Sequence, residues 1–248
     1  MYKFYFLDLE VFVIRLDKFL AQMNMGTRSE VKNVIRKGRV LVNGVVCKNA
    51  DIKIDENTDV VCFDNCEINY EKFVYYMLNK PAGVVSATKD NLDKTVLDLL
   101  YDVKKPDIFP VGRLDKDTEG LLLLTNDGEL AHKLLAPKSH IPKTYFVRTQ
   151  EVVTKEQLYL LEKGVDIGED DLTMPALTEQ ICDNEILLTI YEGKFHQVKR
   201  MLKAVGNKVI YLKREKMGNL SLDEDLKSGG YRKLTPKEIE MLKTYNRG

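Results

Sequence analysis

PVGRLDKDTEGLLLLTNDGEL, Pro110–Leu130, places four consecutive leucines, Leu121–Leu124, between two charged loops. A continuous apolar run of this length, bounded by turn residues, reads as a buried strand. The leucines explain the strand. They do not explain why Arg113, Asp115, Lys116, Asp117 and Glu119 crowd in directly before it.

Working outward, short strands and helices follow in irregular order. FVYYMLNKPAGVVSAT, from Phe73, reads as a strand, a Lys-Pro-Ala-Gly turn and a second strand. LDKTVLDLL reads as a short helix with Leu92, Val96 and Leu99 inward. GELAHKLLAP is a helix ending at Pro137 and KTYFVRTQ an alternating strand. TKEQLYLLEKG is a helix with a Thr cap and a Gly stop. EILLTIYEG is a strand, HQVKRMLKAVG a helix, KVIYLKREKMG a strand, and LTPKEIEMLKTY a helix with Pro in its first turn. Strands outnumber helices without regular alternation, so residues 73–248 read as an α+β domain on a mixed, mainly antiparallel sheet.

Upstream, the pattern changes. RLDKFLAQMN spaces Leu16, Phe19, Leu20 and Met23 as an amphipathic helix. Thr27 and Glu30 form a T-x-x-E capping box for a second helix, with Val31, Val34 and Ile35 inward and Lys32, Arg36 and Lys37 outward. Gly38 ends it. RVLVNGVVCK is then a hairpin about Asn43-Gly44, and DVVCFD adds a strand. Residues 14–63 thus read as a small domain. The polar residues 64–72 read as a linker, and residues 1–13 as an extension before the first module.

Composition narrows the function. The 248 residues carry 38 Lys+Arg against 38 Asp+Glu, so the formal net charge is zero. The distribution is uneven. Ile14–Ile54 holds nine basic and three acidic residues, +6, and Lys194–Lys216 holds eight basic and one acidic, +7. Two basic blocks on a neutral chain point to a polyanionic partner met by particular surfaces, with nucleic acid favoured. The four cysteines, Cys47, Cys62, Cys66 and Cys182, make no CxxC pair and the three histidines are scattered, which argues against zinc and for reduced thiols in a cytoplasmic protein. No apolar run is long enough to span a membrane. The apolar N-terminus lacks a basic start and is broken by Asp8 and Glu10, unlike a secretory signal. Neither a P-loop nor a GxGxxG pattern occurs.

In the opening loop, Gly112 and Gly120 permit tight turns at either end. Asp115, two residues after Arg113 and beside Lys116, is a carboxylate kept ionised by cations, able to serve as nucleophile or base. From spacing alone, a charged loop with Asp115 capping a turn is the favoured reading.

The wording of these stretches adds more. GRLDKDTEGLLLLTND resembles the signature of the RsuA/RluB/RluE/RluF family of ribosomal RNA pseudouridine synthases, and MLNKPAGVVSAT and EGKFHQVKRML resemble two further motifs of that family. Residues 14–62 resemble the S4 RNA-binding domain. The resemblance implies isomerisation of a uridine within RNA to pseudouridine, without a cofactor or metal. It implies that Asp115 acts at the sugar, either attacking C1′ or taking a proton from C2′. It further implies that Tyr145 packs on the uracil, that Lys199 pairs with the catalytic aspartate, that Leu188 lines the pocket and that Arg113 contacts RNA beside the flipped base. In the S4-like domain, Arg28, Ser29, Lys32 and Arg36 would face RNA. His196 is assigned no chemistry, and Asp117, as an i+2 neighbour, is expected to point away from Asp115.

EGKFHQVKRM and the short C-terminal end look most like the small-subunit branch, which modifies uridine 516 of 16S ribosomal RNA. The partner is then ribosomal RNA, free or in a partly assembled small subunit, and the enzyme a monomer. Three alternatives remain: a large-subunit (23S) synthase, a non-catalytic S4-domain RNA-binding or assembly factor, and a hydrolase of nucleoside glycosidic bonds. The second would be expected to lack the Asp, the Tyr or the basic partner, and the third to show a second carboxylate or a metal.

Overall fold

In the computed structural model, which describes residues 13–23, 25–56, 58–68, 71–101, 103 and 107–245, the chain divides into two units between Lys72 and Phe73. In the first unit, β1 (Val13–Arg15) leads directly into α1 (Leu16–Gln22), which buries Leu16, Phe19 and Leu20. The expected extension otherwise lies outside the described residues. α2 (Arg28–Arg36) starts at a complete capping box: the Thr27 hydroxyl accepts from the Glu30 amide, and the Glu30 carboxylate accepts from the Thr27 amide at 2.7 Å. Two of the four free amides of the first turn are thereby satisfied. Val31 and Ile35 are buried under the helix.

β2 (Val40–Val42) and β3 (Val45–Cys47) form the expected hairpin, with Asn43 and Gly44 both at positive φ as its turn demands. β4 (Lys53–Asp55) pairs antiparallel with β1, and β5 (Val61–Phe63) lies beside β2. The start of the polar segment read as a linker instead folds. Asp64 and Asn65 take φ of 48° and 63°, and β6 (Cys66–Glu67) returns against β5. Asp and Asn tolerate the left-handed region, so a polar pair here makes a hairpin turn rather than a tether.

The second unit is built on one nine-stranded sheet. Its elements are β7 (Tyr75–Lys80), β8 (Phe109–Pro110), β9 (Glu119–Thr125), α3 (Gly128–Leu135), β10 (Lys143–Thr149), α4 (Lys155–Lys163), β11 (Leu177–Cys182), β12 (Glu185–Ile190), α5 (Gln197–Ala204), β13 (Val209–Met217), β14 (Leu220–Ser221), β15 (Tyr231–Lys233) and α6 (Pro236–Lys243). The main path runs β11-β12-β10-β13-β9-β7-β15, with β14 on β13 and β8 on β9. Its pairings are antiparallel except the contact of β13 with β9. The mixed, mainly antiparallel α+β architecture expected from the sequence is the one found.

β9 lies inside this sheet and is covered on both faces. Leu122 and Leu124 join a core with Leu188, Val198, Met201 and Leu202, whereas Leu121 and Leu123 join another with Leu130, Leu134 and Leu242. Side chains alternate along a strand, so only a strand with a helical layer on each face can bury four leucines in succession. Each contributes about 1.5–3 kcal/mol of burial. β9 is therefore a stiff base for the loop before it.

Two expectations in this unit are corrected. Among the described residues after Gly83 no second strand forms, only one bridge between Val85 and Thr95. LDKTVLDLL is not a helix over its length but a single 3-10 turn, Leu97–Leu99, with Val96 buried and Leu92 96% exposed. The Thr95 amide donates to the Asp98 carboxylate and the Asp98 amide to the Thr95 hydroxyl, which starts the turn at Thr95 and leaves Leu92 outside it. Strands β11 and β15 were not foreseen. β11 has exposed residues at five of six positions, and β15 is three residues long.

Candidate active site

The loop between β8 and β9 carries Arg113, Asp115, Lys116 and Asp117. At its far end Gly120 sits at φ 99°, and a Cβ there would lie 2.3 Å from the carbonyl oxygen of Arg214 on β13. Only glycine allows β13 to approach that closely. The turn itself closes with the Thr118 amide on the Asp115 carbonyl at 3.1 Å.

The loop is anchored by the end of β7 and the segment after it. Lys80 is fully buried. Its Nζ donates to three carbonyls, Pro81 at 3.0 Å, Lys116 at 3.3 Å and Thr118 at 2.8 Å. Burial pushes the Lys80 ammonium down to about 8, against the pull of Asp117, Asp115 and Glu119. The Gly83 amide donates to Lys116 O, while Ser86 Oγ donates to Leu114 O and accepts from the Leu114 amide. The residues about Asp115 are thus held through their backbone rather than through its carboxylate.

Lys199, on α5, points its ammonium between two carboxylates: Asp115 Oδ2 at 2.8 Å and Asp117 Oδ1 at 2.6 Å. The sequence reading had Asp117 turned away. In the structure the tight turn at Asp115–Thr118 brings the i and i+2 carboxylates to one cation. Burial alone would lower the Lys199 pKa, but hydrogen bonds to Asp115 and Asp117 outweigh it and raise it. The same bond is the main reason the Asp117 carboxyl is lowered. The two aspartates differ in setting: the Asp115 side chain is 22% exposed and the Asp117 side chain 73%. His196 Nε2 approaches Asp115 Oδ1 at 3.6 Å, with its ring stacked on Phe195.

Asp115 opens onto a cavity of about 370 Å³, also lined by Arg113, Thr118, Lys143, Tyr145, Glu192 and Arg214. This volume lies in the range of small-molecule sites. Tyr145 stands on β10, cross-strand from Arg214 on β13 and Leu188 on β12. Arg113 is exposed and makes no ion pair with a described residue, unlike the loop salt bridge its neighbours would suggest. Leu188 is fully buried beside Tyr145 and belongs to the core rather than the cavity wall. Ile190, cross-strand from Lys143, takes that place. The structure therefore assembles Arg113 and Asp115, Tyr145, and Lys199 from three distant stretches.

The S4-like residues occupy one element of the first unit. Arg28, Ser29 and Arg36 are exposed on α2, and Lys32 is partly exposed, 3.8 Å from the buried Asp17. Arg15 already binds that carboxylate at 2.7 Å and is the main cause of its lowered pKa, so Lys32 is a spare cation.

Lys80, Asp117, Lys143 and Arg214 were missed by sequence reasoning. Lys80 had a visible signal: a lone lysine ending a strand that is otherwise apolar or aromatic but for Asn79. Among the described residues no group of three His, Cys, Asp or Glu could hold a metal, and no helix is long and apolar enough to cross a membrane.

Comparison with known proteins resolves the class. The RNA pseudouridylate synthase family model matches residues 74–204, and the S4 domain model matches residues 14–60. A crystal structure of a pseudouridylate synthase superposes with TM-score 0.67 at 40% identity, over 92% of this chain and 99% of that one. The fold is that of an S4-containing pseudouridine synthase, an isomerase of uridine in RNA. The chain belongs to this family. It is 48% identical over 234 residues to the uncharacterized RNA pseudouridine synthase YtzG of Bacillus subtilis, covering 92% of this chain and 98% of the relative. It is 43% and 42% identical over 227 residues to the ribosomal small subunit pseudouridine synthases A of Vibrio cholerae and Escherichia coli, covering 91% of this chain and 98% of each.

Proposed function

We propose that the protein isomerises a single uridine of small-subunit ribosomal RNA, uridine 516 of the 16S molecule, with Asp115 as the catalytic carboxylate. The observation that carries the catalytic part is the Asp115–Lys199 pair at 2.8 Å beside a cavity shared with Tyr145. The substrate is supported by the small-subunit relatives, which align over nearly their whole length.

The chemistry follows from the geometry. The target uridine leaves its stack and enters the cavity. Breaking N1–C1′ builds oxocarbenium-like charge at the sugar, which the Asp115 carboxylate stabilises. The carboxylate then bonds C1′ or takes the C2′ proton. The freed ring turns, and its C5 bonds C1′ as the carboxylate leaves C1′ or returns the proton to C2′, after which C5 sheds its proton and N1 takes one up. Lys199 fixes the orientation of Asp115 and disperses the charge of the aspartate pair, while Tyr145 packs on the ring. Arg113, free of any ion pair with a described residue, is available to a phosphate beside the flipped base. On the first unit, Arg28, Ser29, Lys32 and Arg36 meet the RNA backbone.

The test is pseudouridine mapping of both ribosomal RNAs, by carbodiimide labelling and primer extension, in cells lacking the protein. The expected result is loss of one 16S signal, restored by the wild type and not by Asp115→Asn. A lost 23S signal would move the protein to the large subunit. No lost signal, or rescue by Asp115→Asn, would overturn the proposal.

A further inference from the structure

The cavity holds more positive charge than the roles above use. Arg214 is 2% exposed on β13, cross-strand from Tyr145. Its Nε donates to Leu121 O at 2.8 Å, but its Nη2 is buried without a partner. Lys143, two residues before Tyr145 on β10, gives one hydrogen bond, to Ile141 O at 3.0 Å. Burial first, and Arg214 second, push the Lys143 ammonium down to about 8, while Glu192 pulls it upward. Glu192 is itself engaged by Gln197 Nε2 at 2.8 Å and the Met174 amide at 2.9 Å. Thr118 Oγ1 is a further buried polar atom without a partner, and Thr118, Lys143 and Arg214 all line the cavity. A buried cation beside a half-buried one, both with open donors, is costly unless an anion completes them.

We propose that Lys143 and Arg214, with the Thr118 hydroxyl, form an oxyanion site that holds the departing uracil ring as its anion. This rests on the reading of Asp115 as the group that acts at the sugar. When N1–C1′ breaks heterolytically, the bonding pair stays on the ring and its charge is shared among N1, O2 and O4. C1′ is satisfied by bonding Asp115, or by loss of the C2′ proton to it. The ring anion then uses that pair to bond C5 to C1′, as the C1′–Asp115 bond breaks back to the carboxylate or as Asp115 returns its proton to C2′, and the proton shed by C5 is balanced by the one N1 takes up. During its free interval the ring carries a full negative charge with no covalent tether. Cations fixed in a low-dielectric wall suit that species and not the neutral uridine before it. They retain the ring while it turns, beside Tyr145.

The experiment is equilibrium binding of two free rings by calorimetry: uracil, neutral at pH 7, and 5-nitrouracil, ionised at that pH. Wild type, Lys143→Met, Lys143→Arg and Asp115→Asn are compared after thermal melts show each folded. The expected result is a preference of roughly tenfold or more for the anionic ring in the wild type. It is kept by Lys143→Arg, lost by Lys143→Met, and undiminished in Asp115→Asn, which removes a nearby negative charge. Equal affinities, a preference surviving Lys143→Met, or no binding of either ring would overturn the inference. No RNA is present, so the result stands apart from whether ribosomal RNA is the substrate.

Discussion

Lys199 and Lys80 are both cations beside Asp115, but they do opposite kinds of work. Lys199 touches the carboxylates of Asp115 and Asp117 directly. Lys80 touches only carbonyls, three of them, and so shapes the loop without competing for the reactive oxygen. Replacing Lys80 by Met removes those donors, each lost bond to a buried group costing about 1–3 kcal/mol. It also removes a desolvated ammonium whose pKa is driven down to about 8 by burial. The two effects oppose, so Lys80→Met should change unfolding free energy by less than about 2 kcal/mol. Turnover should nevertheless fall roughly 10- to 100-fold, because in the role proposed for Asp115 a carboxylate displaced by a fraction of an ångström no longer meets the sugar. Urea unfolding and single-turnover conversion on one preparation check this. Full activity, or loss of both properties together, would remove the positioning role.

At the scale of elements, the C-terminal helix shows how one ion cluster closes the sheet edge. Arg232 on β15 binds Glu238 on α6 at 2.9 Å and Asp223 at 2.6 Å. The Arg232 guanidinium, helped by the Thr235 amide, lowers the Glu238 carboxyl to about 2. A depressed carboxyl stabilises the fold above its unfolded pKa, and that contribution is lost as pH falls toward the folded value. The window is therefore from about 4.5 down to about 2. Glu238→Gln should lower stability at pH 7 by about 1–2 kcal/mol, and the difference from wild type should vanish near pH 2, measured by chemical denaturation across that range. A gap unchanged from pH 7 to pH 2 would refute the assignment. Elements such as α2 and α6, with a capping box and an apolar stripe, were legible in the sequence because local chemistry determines them. β9 was legible because no other element buries four leucines in succession. β11 was not, since its exposed edge lacks apolar alternation. Nor was the Asp117 contact, because a turn at Asp115–Thr118 and a helix more than eighty residues later must meet before it exists. Leu188 and Ile190 share one face of β12, and pattern alone could not say which borders the cavity.

Across the whole molecule, charge is divided by task. The cavity and its cations belong entirely to the sheet unit, and the basic face of α2 belongs to the other. Affinity for RNA and chemistry on the base should then be separable by mutation. Arg28, Lys32 and Arg36 recur every four residues along α2, so they lie along one side of the helix, where they can follow a phosphate backbone. Each neutralised phosphate adds about 0.7–0.9 to the slope of log affinity against log salt. Gln in all three places keeps helix propensity and leaves Val31 and Ile35 in the core. The triple variant should bind its RNA more weakly, with that slope reduced by roughly two to three, as a salt titration would record. Its binding of a free uracil ring should match the wild type, since the cavity is untouched. An unchanged slope would mean that α2 does not face RNA. Loss of ring binding would mean that the two units do not divide the work.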